Sequence, residues 1–489
     1  MIQIAIITEG FVSTGYGHLS RCSAIASAFE KRGMEVSFFV NGDENVGKVL
    51  SSYNFSQYNW LISQERLLSD LSGKEIAIID SYLASEKIYR SIQETVPVSI
   101  YLDDYNRIEY PNGIILNGTI GAEQIEYTRK EQQLYLLGKD YVILREAFSH
   151  QEKKLIKDTI KEVLITFGGT DPLNLTSKVT HFLNRILPNT PKYIILGAAF
   201  PFEGTIQKEI DASCKIIRNA DANQMFQLMN QVDIAFSAAG QTINELAFTG
   251  TPSIIFMVAD NQENNIKGCL KEGFISSFID ARTAFSEQKV TDSLTQIVNQ
   301  SKRTKMSENG ERLIDGKGSD RLINKTLRYG FEHYAVTRKA TSDDRIPLFL
   351  LANDPDVRNN SFNTHQILFE DHSKWFEKTL TNKQRVLYVF YWSRELIGQV
   401  RFDKEQGNAI VSISVSKMFR GCGLAAEMLK KTIIEIKNEW KDILSLTAYV
   451  KNGNRASQLS FLRSGFKEVL NDNDDNKRYD YIYSTSESF

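Results

Sequence analysis

The residues best suited to chemistry lie in one short stretch from Gly15 to Arg21, with the sequence Gly-Tyr-Gly-His-Leu-Ser-Arg. The stretch follows an apolar strand pattern and precedes a helical pattern, so it presents free backbone N–H groups and the positive end of a helix dipole. Gly15 and Gly17 let a ligand approach the backbone closely. His18 stands where an imidazole can exchange a proton near neutral pH. The stretch predicts a site for phosphate or developing negative charge, and taken alone it equally suits a tight turn with a surface histidine.

A dinucleotide-binding turn is the obvious alternative, and it fits the spacing poorly. Ser20 follows Gly17 where the third glycine of that motif is expected. The predicted strand Glu35–Val40 is followed by Asn41, whereas a nicotinamide site needs an acidic residue there. We therefore do not expect NAD to bind.

The composition is that of a globular protein with several domains. The chain has 489 residues, of which 42% are hydrophobic and 24% charged, and its net charge of −2 gives no basic field for nucleic acid or a membrane surface. Its four cysteines are widely scattered, so neither a metal site nor a disulfide framework is expected. The sequence shows neither a signal-peptide pattern nor an apolar run long enough to span a membrane, so we expect a cytoplasmic protein.

The pattern from 1 to about 150 predicts a parallel sheet with helices on both faces. Apolar runs alternate with segments long enough to cross over the sheet. These runs are Ile2–Thr8, Glu35–Val40, Ile76–Asp80, Val98–Leu102 and Gly113–Leu116. Ligands bind at the carboxyl edge of such a sheet, so polar residues after these strands are candidates: Asp80, Tyr82, Asp103 and Asn117. Asp103 with Asp104 equally suits a solvated turn or a helix cap.

A second α/β unit is predicted from 151 to about 325. Its predicted strands are Val163–Phe167, Tyr193–Leu196, Cys214–Ile217, Val232–Phe236 and Ser253–Phe256. Small residues before a helix admit a diphosphate to the backbone, and this pattern occurs at Gly168–Asp171 and at Ser237–Gln241. Glu245, a turn or so after Gly240, suits hydrogen bonding to ribose hydroxyls. Two consecutive Rossmann-like units that face one cleft predict the GT-B architecture of nucleotide-sugar glycosyltransferases.

Residues 1 to about 325 resemble the nucleotide-sugar hydrolases of pseudaminic acid biosynthesis, which are similar to GT-B glycosyltransferases but transfer the sugar to water. Ser81 departs from the Asp-His-Tyr sequence of many members, which leaves Asp80 and Tyr82 as candidates there. The matching motifs span both predicted lobes in order; they are Gly15-Tyr-Gly-His-Leu-Ser-Arg21, Ile79-Asp80-x-Tyr82, Leu102-Asp103-Asp104, Leu116-Asn117, Tyr141-x-Ile-Leu-Arg145-x-x-Phe148, Phe167-Gly-Gly-Thr-Asp171, Ser237-Ala-Ala-Gly240 with Glu245, and Asp260-Asn-Gln262.

The resemblance implies a catalytic group and a set of binding residues. His18 is the implied general base, which removes a proton from water as water attacks the anomeric carbon with inversion and UDP leaves. Asp80 or Tyr82 would fix the tautomer of His18, and backbone N–H groups would hold the pyrophosphate, so no metal is expected. The residues implied to bind UDP or sugar are Gly15, Gly17, Arg21, Asp103, Asn117, Gly169, Thr170, Ala239, Gly240, Gln241, Glu245, Asn261 and Gln262.

The last part of the chain, from 346 to 489, predicts a separate domain after a polar linker at 326–345. A hairpin pattern and the strand Ala409–Val415 precede Arg420-Gly-Cys-Gly-Leu-Ala425 and an amphipathic helix. This order resembles the acetyl-CoA site of the GNAT acetyltransferases, which have a mixed α+β fold. Phe461 replaces a tyrosine that acts as general acid in many members, so acid and base are left unassigned. The implied acetyl-CoA contacts are Ser414, Val415, Arg420, Gly421, Gly423, Ala425, Asn454 and Phe461.

The segments Asn353–Asn360 and His372–Trp375 resemble the acetyltransferases of the same pathway. Together the two resemblances imply a bifunctional enzyme. Its C-terminal domain would acetylate the 4-amino group of UDP-4-amino-4,6-dideoxy-N-acetyl-β-L-altrosamine with acetyl-CoA. Its first two lobes would then hydrolyse the product to UDP and free sugar. Two alternatives stay open: a GT-B glycosyltransferase with a hydroxyl acceptor, and a GNAT enzyme for protein amines joined to a nucleotide-sugar-binding scaffold.

Overall fold

The computed structural model describes residues 1–12, 16–197, 199–470 and 476–483. The chain divides into two compact units, one formed by Gln3–Ile323 and the other by Met1–Ile2 with Asn324–Phe489. The first unit contains two lobes, each built on its own parallel sheet, and the second unit contains a mixed sheet. Among the described helices, none is long and apolar enough to cross a membrane.

The first lobe is a seven-stranded parallel sheet with the strand order β3-β2-β1-β4-β5-β6-β7. Its central strands are buried along their whole length and read as continuous apolar runs, as expected for strands covered on both faces. The elements are β1 (Gln3–Gly10), α1 (Gly17–Lys31), β2 (Glu35–Gly42), α2 (Val46–Val49), β3 (Asn54–Gln57), α3 (Gln64–Leu71), β4 (Ile76–Asp80), α4 (Glu86–Thr95), β5 (Val98–Leu102), β6 (Gly113–Asn117) and β7 (Gln133–Leu137).

The second lobe is a six-stranded parallel sheet with the order β10-β9-β8-β11-β12-β13. Aliphatic and aromatic side chains fill the space between this sheet and the helices on each face. The elements are β8 (Val163–Thr166), α5 (Leu175–Ile186), β9 (Lys192–Leu196), α6 (Glu203–Glu209), β10 (Cys214–Arg218), α7 (Ala222–Gln231), β11 (Ile234–Ala238), α8 (Thr242–Phe248), β12 (Ser253–Met257), α9 (Glu263–Lys271), β13 (Phe278–Asp280), α10 (Glu287–Ile297), α11 (Gln300–Leu313) and α12 (Gly318–Tyr334).

The strands predicted for the two lobes are confirmed, and three further strands were not predicted from the sequence. β3 is a four-residue edge strand with polar, partly exposed side chains. β7 is also at an edge and only its last two residues are buried, whereas β13 has three residues. Edge strands lack the buried apolar run on which strand prediction depends.

The second unit has a seven-stranded sheet with the order β14-β15-β16-β17-β18-β20-β19. Its pairs are antiparallel except for β17 with β18, which are parallel. The elements are β14 (Val336–Lys339), α13 (Arg345–Ala352), α14 (Pro355–Asn360), α15 (Phe369–Thr381), β15 (Arg385–Trp392), β16 (Glu395–Glu405), β17 (Asn408–Val415), α16 (Leu424–Glu439), β18 (Ser445–Lys451), α17 (Arg455–Arg463), β19 (Lys467–Val469) and β20 (Asn476–Ile482).

The segment 326–345, predicted as a linker, is regular structure for much of its length. α12 continues to Tyr334, and β14 pairs with β15 at the edge of the sheet. Leu327 and Phe331, four residues apart on α12, are fully buried, which explains why the helix continues through a polar sequence. β14 is polar because it is an edge strand with no fully buried residue.

Candidate active site

The two lobes of the first unit line a cavity of about 210 Å³. The loop at the start of α1 and the loop after β4 contribute from the first lobe, and the loops after β11 and β12 contribute from the second. These are carboxyl ends of parallel strands, where ligands bind in such folds. The predicted site residues that line the cavity are Gly17, His18, Arg21, Tyr82, Ala239, Gly240, Gln241, Asn261 and Gln262.

His18 lies in the first turn of α1 and is hydrogen-bonded to Asp80, the last residue of β4. Its Nδ1 is 2.6 Å from Asp80 Oδ1, and the imidazole is 9% exposed. Burial acts to lower the pKa of His18, but the charge and hydrogen bond of Asp80 outweigh it, so the pKa is raised above its ordinary value. With Nδ1–H donated to a carboxylate, Nε2 is the nitrogen that can accept a proton.

Arg21 lies one turn further along α1 and binds two carboxylates. It donates to Asp80 through Nε at 2.9 Å and Nη2 at 2.7 Å, and to Asp104 through Nη1 at 2.7 Å. Burial acts to raise the pKa of Asp80, but Arg21 and His18 hold that pKa well below its usual range. Asp80 is therefore ionised. Arg21, predicted to bind substrate, lines the cavity with its charge balanced by these two partners.

Tyr82 extends the same network across the cavity. Its hydroxyl donates to Asp104 Oδ2 and accepts from Asn261 Nδ2 of the second lobe at 3.3 Å. Its ring packs edge-on against the His18 ring with centroids 4.6 Å apart. Burial and the charge of Asp104 raise the pKa of Tyr82 far above its ordinary value, so the phenol stays protonated. Tyr82 can donate a hydrogen bond or position His18, but it cannot act as a base near neutral pH.

Glu9, the penultimate residue of β1, supports this arrangement and was not predicted from the sequence. Its buried carboxylate accepts from Ser81 Oγ at 2.6 Å and from the Tyr82 N–H at 2.8 Å. These bonds fix the turn that follows Asp80. Ser81, the departure from the related sequences, therefore serves the fold and is buried away from the cavity. The sequence feature that could have identified Glu9 is an acidic residue at the end of a predicted apolar strand.

Two residues predicted to bind substrate, Asp103 and Asn117, belong to a buried hydrogen-bond network. Asp103 accepts from the hydroxyls of Tyr110 at 2.9 Å and Tyr127 at 2.5 Å, and Asn117 donates to Tyr127 at 3.0 Å. Asp103 is 2% exposed and Asn117 is fully buried. Neither lines the cavity, whereas the neighbouring Asp104 does. The polar atoms of Asp103 and Asn117 thus have partners within the protein, and their predicted role in substrate binding stays a prediction.

The second glycine turn does not border the cavity either, so Gly169 and Thr170 are not brought to the site. The turn precedes α5, and Asp171 caps this helix by accepting from the N–H groups of Leu175 at 2.9 Å and Thr176 at 2.7 Å. The N–H groups expected to bind an anion are thus taken by a carboxylate of the chain.

Glu245, predicted to bind ribose, is paired with a side chain of the fold. Arg145 donates to both carboxylate oxygens, through Nε at 2.7 Å and Nη2 at 2.9 Å. The carboxylate is 7% exposed. Glu245 is not part of the cavity lining, whereas Asn244, one residue earlier on α8, is. The bidentate pair fixes the segment before β8 to α8 and leaves the adjacent amide facing the site.

Two glycines of the lining, Gly17 and Gly240, leave room for a ligand. A Cβ added at Gly17 or Gly240 would meet no described atom within 4 Å, and neither residue has a positive φ. The fold therefore does not require glycine at these two positions, which fits a close approach of ligand to backbone. Gly15, predicted to share this role, lies outside the described residues.

The second unit has backbone geometry that suits acetyl-CoA. Among the described residues, β17 pairs with β18 only at Asn408–Ile410, so no described strand pairs with Ser414 and Val415 on that side. Gly421 and Gly423 follow at φ of 80° and 77°, and α16 begins one residue later with Ala425 in its first turn. A pantetheine arm can pair with such a strand, and a pyrophosphate fits the start of such a helix.

Three of the residues predicted to contact acetyl-CoA have partners within the unit. Arg420 binds Asp354 and Asp356 at 2.6 Å each, and Asn454 caps α17 by accepting from the Ser457 N–H at 3.1 Å. Phe461 is 3% exposed and packs on the aromatic rings of Phe466 and Tyr479. Phe461 is therefore a buried residue of this unit, and its predicted contact with acetyl-CoA stays a prediction. Within the described residues, no group of three or more His, Cys, Asp or Glu side chains is placed to hold a metal.

The first unit thus has two lobes, each with a parallel sheet between helices, and the second unit has a mixed α+β fold. Residues 336–467 match the family model described as "Acetyltransferase (GNAT) domain", which confirms the predicted acetyltransferase domain.

Three curated proteins show what the chain is similar to. An uncharacterized protein of Methanocaldococcus jannaschii is 29% identical over 289 residues, covering 55% of this chain and 59% of that protein. "Pseudaminic acid cytidylyltransferase and UDP-2,4-diacetamido-2,4,6-trideoxy-beta-L-altropyranose hydrolase" of Helicobacter pylori is 28% identical over 264 residues, covering 53% of this chain and 45% of that protein. "Spore coat polysaccharide biosynthesis protein SpsG" of Bacillus subtilis is 22% identical over 330 residues, covering 66% of this chain and 96% of that protein.

The chain thus spans 59% and 45% of the lengths of the first two relatives. The predicted resemblance to the hydrolases of pseudaminic acid biosynthesis is confirmed by the Helicobacter pylori protein, whose name contains that activity.

Proposed function

We propose that the chain is a bifunctional nucleotide-sugar enzyme. Its second unit uses acetyl-CoA to acetylate the 4-amino group of UDP-4-amino-4,6-dideoxy-N-acetyl-β-L-altrosamine. Its first unit hydrolyses the product, UDP-2,4-diacetamido-2,4,6-trideoxy-β-L-altropyranose, to UDP and free sugar. The observation that carries the hydrolase half is the buried 2.6 Å hydrogen bond that holds His18 on Asp80 in the cavity wall. The name of the Helicobacter pylori relative and the acetyltransferase family match support the choice of reactions.

In this proposal His18 is the general base of the hydrolysis. Nε2 accepts a proton from water while the water oxygen bonds to the anomeric carbon. The bond from that carbon to the diphosphate oxygen breaks, its electron pair leaves with UDP, and the anomeric configuration is inverted. Asp80 stays ionised, holds Nδ1–H and stabilises the imidazolium that forms. Tyr82 packs against the ring and restricts its orientation.

In this proposal, groups of the second lobe stabilise the negative charge of the leaving diphosphate. Arg21 is balanced by Asp80 and Asp104, so it adds no net positive charge to the cavity. The loop Ala239–Gln241 offers backbone without bulky side chains, and the amides of Asn261 and Gln262 lie in the same wall. Preorganised neutral donors of this kind stabilise a leaving anion without rearrangement during the reaction.

In the second unit the bound co-substrate would supply an acetyl thioester for the amine. Residues of this chain would bind and orient it: the end of β17 at Ser414 and Val415 along its arm, and the loop from Gly421 to Ala425 at its pyrophosphate. Arg420 would act through its pairs with Asp354 and Asp356, which hold this loop against the start of α14. Four free cysteines are consistent with a reducing cytoplasm, where we place both reactions.

The test is to incubate the full chain with the UDP-4-amino sugar and acetyl-CoA, and to follow masses and free UDP with time. We expect the sugar to gain one acetyl group first and UDP to appear afterwards without any added acceptor. UDP release that required a sugar or lipid hydroxyl would favour the glycosyltransferase. Acetylation of lysine peptides without acetylation of the UDP-sugar would favour the enzyme for protein amines.

A further inference from the structure

α12 reaches the loop assigned to the pyrophosphate of acetyl-CoA, although this helix lies outside the matched acetyltransferase family model. The helix spans Gly318–Tyr334, whereas the match begins at residue 336. From Asn324 onward its residues belong to the second unit. Leu327 and Phe331 are fully buried there, and the Phe331 ring packs against Phe390 of β15 with ring centroids 6.0 Å apart. This part of α12 is therefore anchored on the sheet of the second unit.

Two side chains of α12, four residues apart and so on one face of the helix, contact the loop and the start of α16. Asn324 Oδ1 accepts from the Cys422 thiol of the loop at 3.3 Å. Arg328 donates through Nη2 to Glu427 Oε1 at 3.3 Å. Its Nη1 lies 3.8 Å from the position that a Cβ on Gly423 would occupy. The guanidinium therefore borders the turn at which α16 begins.

Glu427 is the acidic residue in the first turn of α16, where its charge affects a bound diphosphate. The N–H groups of a first turn attract negative charge, so a carboxylate there competes with an anionic ligand. Glu427 Oε1 is bound by Arg328 and by Lys430, each with a nitrogen 3.3 Å away. Arg328 also donates from Nε to Glu332 Oε1 at 2.7 Å, which fixes the guanidinium on α12. Two cations and two carboxylates thus balance each other beside the loop.

The Arg328–Glu427 pair is not needed for the fold. Arg328 is 41% exposed, and exposed ion pairs contribute little to stability. The pair matters instead for a ligand with negative charge. A carboxylate released at the start of α16 would repel the diphosphate, which carries charge of the same sign. The effect of losing Arg328 is therefore expected in the affinity for the ligand and not in the free energy of unfolding.

We propose that Arg328 is a positioning residue of the acetyl-CoA site. It holds and neutralises Glu427, so the N–H groups at the start of α16 stay open to the diphosphate. Asn324 acts beside it by binding the thiol of Cys422 in the loop. The inference rests on the proposed function, because it takes acetyl-CoA as the ligand of this loop. It makes the affinity for acetyl-CoA depend on a helix outside the matched acetyltransferase domain.

The test is calorimetric titration of CoA into the full chain and its variants, with the KM for acetyl-CoA measured in parallel. Arg328→Gln removes the cation and should weaken CoA binding about 10-fold, because Glu427 is then held by Lys430 alone. Glu427→Gln removes the carboxylate and should not weaken binding. The double variant Arg328→Gln/Glu427→Gln should bind CoA within about 2-fold of the wild type, since the two changes act through one pair.

Shorter ligands show which anionic group of CoA is involved. Arg328→Gln should weaken CoA and 3′-dephospho-CoA by the same factor, because both contain the diphosphate. S-acetylpantetheine has no phosphate, so its KM as an acetyl donor should be the same for Arg328→Gln and the wild type. A loss confined to CoA would place Arg328 at the 3′-phosphate and overturn the inference. An equal loss with S-acetylpantetheine would show a general distortion of the site and would also overturn it.

The controls separate this inference from the proposed function. Lys325→Gln removes an exposed cation of the same helix and should leave the affinity for CoA unchanged. If wild-type protein binds CoA and Arg328→Gln binds it equally well, or if the double variant with Glu427→Gln stays weak, the inference alone is overturned. If wild-type protein does not bind CoA, the acetyl-CoA site of the proposed function fails and the inference fails with it. UDP release from the acetylated sugar should be unchanged in every variant, and thermal unfolding checks that each is folded.

Discussion

The two lobes of the first unit both contain a strand, a glycine-rich turn and a helix, yet the two turns have opposite roles. At the start of α1, Gly17 and His18 line the cavity, and no described side chain caps the helix. At the start of α5, the carboxylate of Asp171 takes the N–H groups of the first turn. A glycine turn before a helix therefore offers an anion site only where the chain supplies no cap of its own.

The histidines on the two helices sharpen this contrast. His18 on α1 and His181 on α5 each have Nδ1 2.6 Å from a carboxylate oxygen, Asp80 in one case and Glu209 in the other. The first pair is almost fully buried beside the cavity, whereas the His181 side chain is 53% exposed. A histidine–carboxylate pair beside the cavity can take part in catalysis, whereas the same pair on an exposed surface adds little even to stability. The position of the pair relative to the cavity therefore decides its role.

The largest expected effect is that of His18→Ala on UDP release. Loss of a positioned general base lowers the rate by about 10²–10⁴-fold. Acetylation of the UDP-4-amino sugar by the second unit should continue at its normal rate. His181→Ala is the matched control and should leave both steps unchanged, measured as UDP and acetylated sugar in the same reaction. A His18→Ala protein that released UDP at the wild-type rate would contradict the assignment of the base.

Asp80→Asn should lower the rate less and change its dependence on pH. The base must be unprotonated, so activity falls as the pH drops through the pKa of His18. Burial lowers that pKa, and Asp80 raises it by more, so the wild-type acid limb should lie above the ordinary value of 6.5. Without the carboxylate the pKa falls, and the acid limb of kcat/KM should move to lower pH. If the acid limb of the pH profile were unchanged in Asp80→Asn, a group other than His18 would control it.

A pair of glycine variants within the second lobe separates binding from folding. Gly240→Ala places a Cβ in open space at the cavity, so the KM for the UDP-sugar should rise while the thermal unfolding temperature stays the same. Gly197→Ala places a Cβ in collision with the backbone of Gly169 at the second turn, so it should reduce the free energy of unfolding by about 1–3 kcal/mol. A Gly240→Ala protein that melted early with normal KM would contradict the assignment of this loop to binding.

The sequence predicted the buried strands and His18, because continuous apolar runs and a histidine in a glycine turn are local signals. It did not show which of two neighbouring residues lines the cavity. Asp103 was chosen although Asp104 lines the cavity, and Glu245 was chosen although Asn244 does. Asn244 and Glu245 are adjacent on α8 and point about 100° apart, so only the packing of the lobe determines which of them faces the cavity. Tyr127 binds Asp103 from 24 residues away and Arg145 binds Glu245 from 100 residues away, so local sequence patterns do not reveal these partners.

Substitutions of Asp171 should have the smallest effect on activity, and they test the contrast between the two turns most directly. Asp171→Ala removes the cap of α5 and should cost about 0.5–2 kcal/mol of unfolding free energy. Its φ of 42° lies in the left-handed region, where alanine is strained and asparagine is tolerated, so Asp171→Asn should cost less. Neither variant should change kcat or KM for UDP release, because the turn does not border the cavity. A selective rise in KM for Asp171→Ala, with normal stability, would instead place the second turn at the substrate and remove the distinction between the two lobes.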